Sequence, residues 1–175
     1  LSGSNLYAGG DFTSIGGQTR NRLAALNASG GSANVWSPSV NDGSVRTIAV
    51  SGAAVYVGGS FTDIGGQTRN RIAAVDSGTG NLIAWDPNAN GTVNKIVLSS
   101  DGLTVYAAGS FTTAGGQTRN RLVALDSATA GATVWNPDVT SGTVNALVLS
   151  TDGLTLYAGG TFTTVGGQTR NRIAA

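Results

Sequence analysis

Four arginine pairs, Arg20/Arg22, Arg69/Arg71, Arg119/Arg121 and Arg170/Arg172, each stand in the same seven residues, GGQTRNR. Together they hold eight of the ten positive charges of a 175-residue chain. A guanidinium is a planar fork of five N–H donors that matches carboxylate, sulfate or phosphate oxygens. At i and i+2 of a strand, two forks face the same way, about 6–7 Å apart. Four such pairs could form a ring of forks for the acidic groups of a glycan. The same side chains also suit a structural use, each guanidinium bonding turn carbonyls or a neighbouring unit while its stem covers apolar surface. The acids bear on this choice. Asp11 and Asp63 precede the motif only in the first two copies, Asp76 and Asp126 become Asn27 in the first, and Asp86 becomes Ser37 or Asn136. No carboxylate recurs with the pair, so a fixed Arg–Asp bridge is not its common reason. A strut between units is the favoured reading and an anion or glycan contact the rival.

Trp36, Trp85 and Trp135 each open a W-x-P triplet. An indole there packs between outer strands with its N–H bonded nearby, or alternatively stacks on sugar rings. Other chemistry is excluded by absent residue types. The chain has no Cys, His, Met or Glu. That removes disulfides, thiolate nucleophiles, imidazole ligands and a Ser-His-Asp triad. No catalytic residue, cofactor or metal ligand set is expected. The net charge of +1 predicts no nucleic-acid partner, and no apolar run approaches the ~20 residues of a membrane helix.

The elements that must carry these residues follow from a ruler in the sequence. Tyr to the first Arg of the motif is 13 residues in all four copies (7 to 20, 56 to 69, 106 to 119, 157 to 170). That Arg to the next Trp is 16 in the three copies that reach it (20 to 36, 69 to 85, 119 to 135). Only the return from Trp to Tyr drifts in length. Asp101-Gly102 and Asp152-Gly153 are hairpin signals in that return. Four strands per unit are predicted, with 93–99, 104–112, 120–126 and 132–136 as strands a to d of one copy. GGQT is expected as the turn between b and c. Ala107, Ala108 and Gly109 put small residues on both faces of strand b, which predicts a sheet packed close on each side. An all-β fold of four-stranded antiparallel blades is therefore predicted, about three and a half repeats of some 50 residues. A β-solenoid is the alternative, disfavoured because the Asp-Gly hairpins demand antiparallel neighbours.

The stretches LYAGGDFT (6–13), VYVGGSFT (55–62), VYAAGSFT (105–112) and LYAGGTFT (156–163), each followed by GGQTRNR, resemble the delta-60 repeat of bacterial secreted and surface proteins. The resemblance spans all four copies. It implies a propeller-like fold and an extracellular or cell-surface setting, and it carries no catalytic residues.

The chain thus reads as one array, 1–175, with units near 1–40, 41–90, 91–140 and 141–175. Its ends duplicate strands b and c instead of complementing each other. Leu1 aligns with Leu149 inside strand a, and Ala175 with Ala25 inside strand c. A segment of a longer propeller or of a multi-chain assembly is expected, its partners being flanking repeats or further copies of the chain. The expected function is non-enzymatic: an extracellular structural or binding scaffold, part of a surface assembly or fibre. The alternative is a carbohydrate- or polyanion-binding propeller. A glycan-cleaving enzyme is the least favoured class, since the singular charges Arg46, Lys95 and Asp42 form no recognisable set.

Overall fold

The computed structural model describes residues 2–175, so the expected placement of Leu1 in a strand lies outside the described residues. Strand follows strand throughout, and the described residues contain no helix. Unit 1 holds β1 (Asn5–Gly9), β2 (Ser14–Ile15), β3 (Gln18–Thr19) and β4 (Leu23–Asn27). Unit 2 holds β5 (Val45–Ser51), β6 (Ala54–Gly59), β7 (Asp63–Ile64), β8 (Gln67–Thr68) and β9 (Ile72–Asp76). Unit 3 holds β10 (Val93–Leu98), β11 (Thr104–Gly109), β12 (Thr113–Ala114), β13 (Gln117–Thr118) and β14 (Leu122–Asp126). Unit 4 holds β15 (Val144–Leu149), β16 (Leu156–Gly160), β17 (Thr164–Val165), β18 (Gln168–Thr169) and β19 (Ile173–Ala174).

Units 2, 3 and 4 are three-stranded meanders, β5-β6-β9, β10-β11-β14 and β15-β16-β19, and unit 1 pairs β1 with β4. Every pairing between these strands is antiparallel, which fits blades and not parallel solenoid coils. The Asp-Gly hairpins form where expected. Gly102 takes φ +72, and the Asp101 carboxylate accepts the Leu103 N–H at 2.9 Å.

Two expectations need correcting. Strand d is a single bridge in each copy that has it: Leu26↔Ala33, Val75↔Leu82 and Leu125↔Ala132. Thr133 N–H still bonds the Ala124 carbonyl at 2.9 Å. The Thr133 carbonyl, however, is taken by Arg119, and Pro137 has no N–H to give, so the ladder stops. GGQT, for its part, is more than a turn. Gln117 and Thr118 form β13 of a second, small hairpin, and Gly115-Gly116 is its two-residue loop. Both glycines have positive φ (+61 and +75), the geometry of a type I′ turn.

The sheets stack face to face in chain order, and alternate residues of each strand enter opposite seams. Leu23, Ala25 and Trp36 of unit 1 meet Val55, Val57 and Val75 of unit 2 in one buried cluster. Tyr56, Ile72 and Trp85 meet Val105, Val123 and Leu125 in the next. Ala108 and Leu122 meet Leu147, Ala158 and Phe162 in the third. Small residues on strand b permit this closeness: a Cβ on Gly58 would lie 2.6 Å from Val93 Cγ1 of the following unit.

Candidate functional site

The repeated heptapeptide lies where consecutive units join. The first glycine of its hairpin donates its N–H to the loop that follows the tryptophan of the preceding unit. Gly65 reaches the Ser39 carbonyl at 2.7 Å, Gly115 the Pro87 carbonyl at 2.7 Å and Gly166 the Pro137 carbonyl at 2.6 Å. In units 1 and 3 that glycine is also wedged against its own unit. A Cβ on Gly115 would stand 2.4 Å from Ala132 N, whose N–H bonds the Gly115 carbonyl.

The arginines of a pair do not share a strand, as the i, i+2 reading supposed. They follow the small hairpin and precede β4, β9, β14 and β19, and the second of each pair is left-handed. Arg22, Arg71, Arg121 and Arg172 have φ between 62° and 69°. A non-glycine residue here carries backbone strain of about 1–3 kcal/mol. Its N–H bonds the carbonyl of the phenylalanine just before the small hairpin in every unit, at 2.9 Å.

The side chains mostly take backbone carbonyls. Arg20 donates through Nη2 to the Asn34 carbonyl (2.5 Å) and Arg119 to that of Thr133 (2.7 Å), so the first arginine clamps the short strand d. Arg22 donates to Val40 (3.0 Å), and Arg121 to Val139 (2.8 Å) and Gly142 (2.6 Å), in the loops leading to the next unit. Arg71 departs from this, bonding the Ser60 carbonyl of its own unit at 2.6 Å. Arg69 lies 3.9 Å from Asp86 at a half-exposed site, the one arginine–carboxylate approach among the described residues and a weak one. Arg170 reaches only its neighbour Thr169 (3.1 Å), and both Arg170 and Arg172 are exposed. Nε of Arg20, Arg22, Arg69 and Arg119 is buried without an acceptor, so those four forks work through Nη alone.

Trp36 and Trp85 are only 2% and 3% exposed and cross to the following unit. Their indole N–H groups donate to the carbonyls of Asp76 (2.8 Å) and Asp126 (3.0 Å). Each ring sits edge-on to the tyrosine of its own unit, Tyr7–Trp36 at 4.9 Å and Tyr56–Trp85 at 5.0 Å between centroids. The Tyr7 hydroxyl adds a bond to the Ser77 carbonyl, also in the next unit. Burial leaves these two indoles no face for a sugar. Trp135 differs: it is 39% exposed, and its ring stands 5.7 Å from Tyr106.

Two sets of junction residues escaped the sequence reading. Asn21, Asn70 and Asn120, between the paired arginines, donate to Ser39, Asn88 and Asp138 in the inter-unit loops. Arg46, Asn94 and Asn145, at the second position of β5, β10 and β15, form a ladder across three units, with Arg46 to Asn94 at 2.9 Å and Asn94 to Asn145 at 3.1 Å. A bulge at this position in all three strands frees these side chains from the regular register. The signal was a polar residue at that one place in each copy. Among the described residues no three His, Cys, Asp or Glu side chains cluster as a metal site would require.

Antiparallel meanders stacked through a glycine N–H bond that recurs at each junction define the class: a repeat protein of β-propeller type. The family model described as "Domain of unknown function (DUF5122) beta-propeller" matches residues 5–32, 55–73, 100–127 and 155–174, more than half of the chain, and the chain belongs to that family. No curated protein matches it.

Proposed function

We propose that the chain is a non-enzymatic structural repeat protein of the bacterial cell exterior, of the delta-60 kind, and that its units build a scaffold or surface assembly. The observation that carries this reading is the use of the arginine forks. Guanidinium groups spent on the Asn34, Val40, Thr133 and Val139 carbonyls hold strand d and the inter-unit loops, and are not free for an anion. The extracellular setting rests on the repeat's resemblance to secreted and surface proteins, and the absence of enzymatic function on the residue types the chain lacks.

Polyanion or glycan binding is a second reading, resting on the match of recurring guanidinium forks to sulfate or carboxylate oxygens. Titration with a sulfated polysaccharide at moderate salt separates the two. The scaffold reading expects no saturable binding, and a loss of stability in Arg119→Ala/Arg121→Ala. Saturable binding that vanishes in Arg170→Ala/Arg172→Ala would replace it with the glycan reading.

A further inference from the structure

One glycine recurs just ahead of β5, β10 and β15, at Gly43, Gly91 and Gly142. Packing demands it. A Cβ there would stand 2.6 Å from the Ser60 carbonyl carbon, 2.8 Å from Phe111 Cα and 2.6 Å from the Thr161 carbonyl carbon. The residue before it is a short hydrogen-bond acceptor in each copy, Asp42, Asn90 or Ser141. It ties this loop to the segment that follows β6, β11 or β16. Asp42 Oδ1 accepts the Thr62 and Asp63 N–H groups at 2.8 and 3.0 Å, and its Oδ2 accepts the Thr62 hydroxyl. Asn90 Oδ1 accepts the Thr112 and Thr113 N–H groups at 2.8 and 3.0 Å, while its Nδ2 donates to Thr112 Oγ1 at 2.8 Å. Ser141 Oγ accepts the Thr163 N–H at 3.1 Å.

Glycine forced at one position and an acceptor at the position before it give unit 3 the one Asn-Gly dipeptide of the chain, Asn90-Gly91. Asparagine is among the chemically labile side chains. With no Cβ on Gly91, little shields the Asn90 carboxamide from the Gly91 main-chain nitrogen. Asn90 is also exposed to water. We propose that Asn90 is a site of deamidation and that its aspartate product keeps the native loop. The Gly91 nitrogen gives up its proton and bonds Asn90 Cγ. The Cγ–Nδ2 bond breaks, and ammonia leaves with that proton. Water then opens the five-membered imide. Cleavage of the new N–Cγ bond leaves an aspartate, and cleavage at the main-chain carbonyl carbon leaves an isoaspartate.

Unit 2 shows that the cradle accepts the aspartate. The same two N–H groups and threonine hydroxyl already hold a carboxylate at Asp42, the hydroxyl turned to donate. Bonds to a charged acceptor are the stronger kind. An isoaspartate adds a methylene to the main chain and carries the carboxylate off the cradle. The cradle sets the pace as well. Three bonds hold the carboxamide in the native loop, so the ring closes when that loop opens locally.

The test incubates the intact chain at mildly alkaline pH, native and in urea, and follows the gain of one mass unit by peptide mapping. Cleavage after Arg71 and Lys95 releases residues 72–95, in which Asn81, Asn88 and Asn94 serve as internal controls. Conversion confined to Asn90 is expected, at least tenfold slower in the native chain than in urea. Thr112→Val, which removes one bond of the cradle, should speed the native reaction several-fold. Asn90→Ser, the residue type of unit 4, should abolish it. Asn90→Asp should fold, with a urea midpoint at neutral pH no lower than that of the parent. A native chain still unconverted at Asn90 after about a hundred half-lives of the unfolded chain would overturn the proposal. So would equal conversion at Asn88 or Asn94, equal rates in native and unfolded chains, or an Asn90→Asp chain with a lowered midpoint at neutral pH.

Discussion

At the residue scale, the arginine pairs divide their work, and substitutions should expose the division. Arg121 makes two short bonds to inter-unit carbonyls, whereas Arg71 turns back to the Ser60 carbonyl of its own unit. Charge-assisted bonds contribute roughly 1.5–3 kcal/mol when well buried, and less at a half-exposed site. Arg121→Ala is expected to lower unfolding stability by about 1–3 kcal/mol in urea titration. A second residue-scale prediction concerns acid. The Thr79 backbone N–H, then its hydroxyl, hold the Asp76 carboxyl below the usual carboxylate range, and Thr129 does the same for Asp126. At Asp42 burial pushes the carboxyl up, but the Thr62 hydroxyl, the Thr62 and Asp63 N–H groups and the Arg71 charge together outweigh it and leave it lowered. A carboxyl lowered by folding stabilises the native state above its unfolded value, about 3.9, and that contribution is lost as pH falls through the folded value. Asn27 fills the same turn in unit 1, its side-chain oxygen accepting the Ser29 and Gly30 N–H groups, and carries no proton to titrate. Asp76→Asn/Asp126→Asn should therefore lose less stability between pH 5 and pH 3 than the parent does, measured as the shift in denaturation midpoint.

At the scale of the element, the small GG hairpin connects one unit to the next, and its two glycines are not equivalent. Both have positive φ, but a Cβ on Gly115 meets Ala132 N at 2.4 Å while one on Gly116 meets nothing within 4 Å. Gly116→Ala carries strain alone, about 1–2 kcal/mol, whereas Gly115→Ala must also displace backbone. Gly115→Ala should be the more destabilising by at least about 1 kcal/mol in thermal or urea unfolding. The meander strands were legible in the sequence, though the small hairpin read only as a turn, because the constant Tyr-to-Arg and Arg-to-Trp distances span residues that meet in space: Tyr7 touches Trp36, and Arg20 clasps the carbonyl of Asn34. The left-handed arginines were not legible, since neither charge nor spacing marks φ. Nor was the collapse of strand d to one bridge, because ATVWN (132–136) reads as a strand until the guanidinium of Arg119 is known to take the Thr133 carbonyl. Periodicity also left open whether a tryptophan packs within its own unit or against the next. Only the bond from Trp36 to Asp76 decides that.

At the scale of the whole molecule, stability is a sum of units and seams, since each sheet contacts its neighbours in chain order. The central claim is that near-identical sheets stack face to face, with Trp36 and Trp85 each carried across a seam to a carbonyl of the following unit. Hydrogen exchange of these two indole N–H groups, followed by NMR, tests the claim most directly. Both are predicted to exchange slowly, opening only when a seam opens. Exchange at either indole as fast as in an unfolded peptide would contradict it.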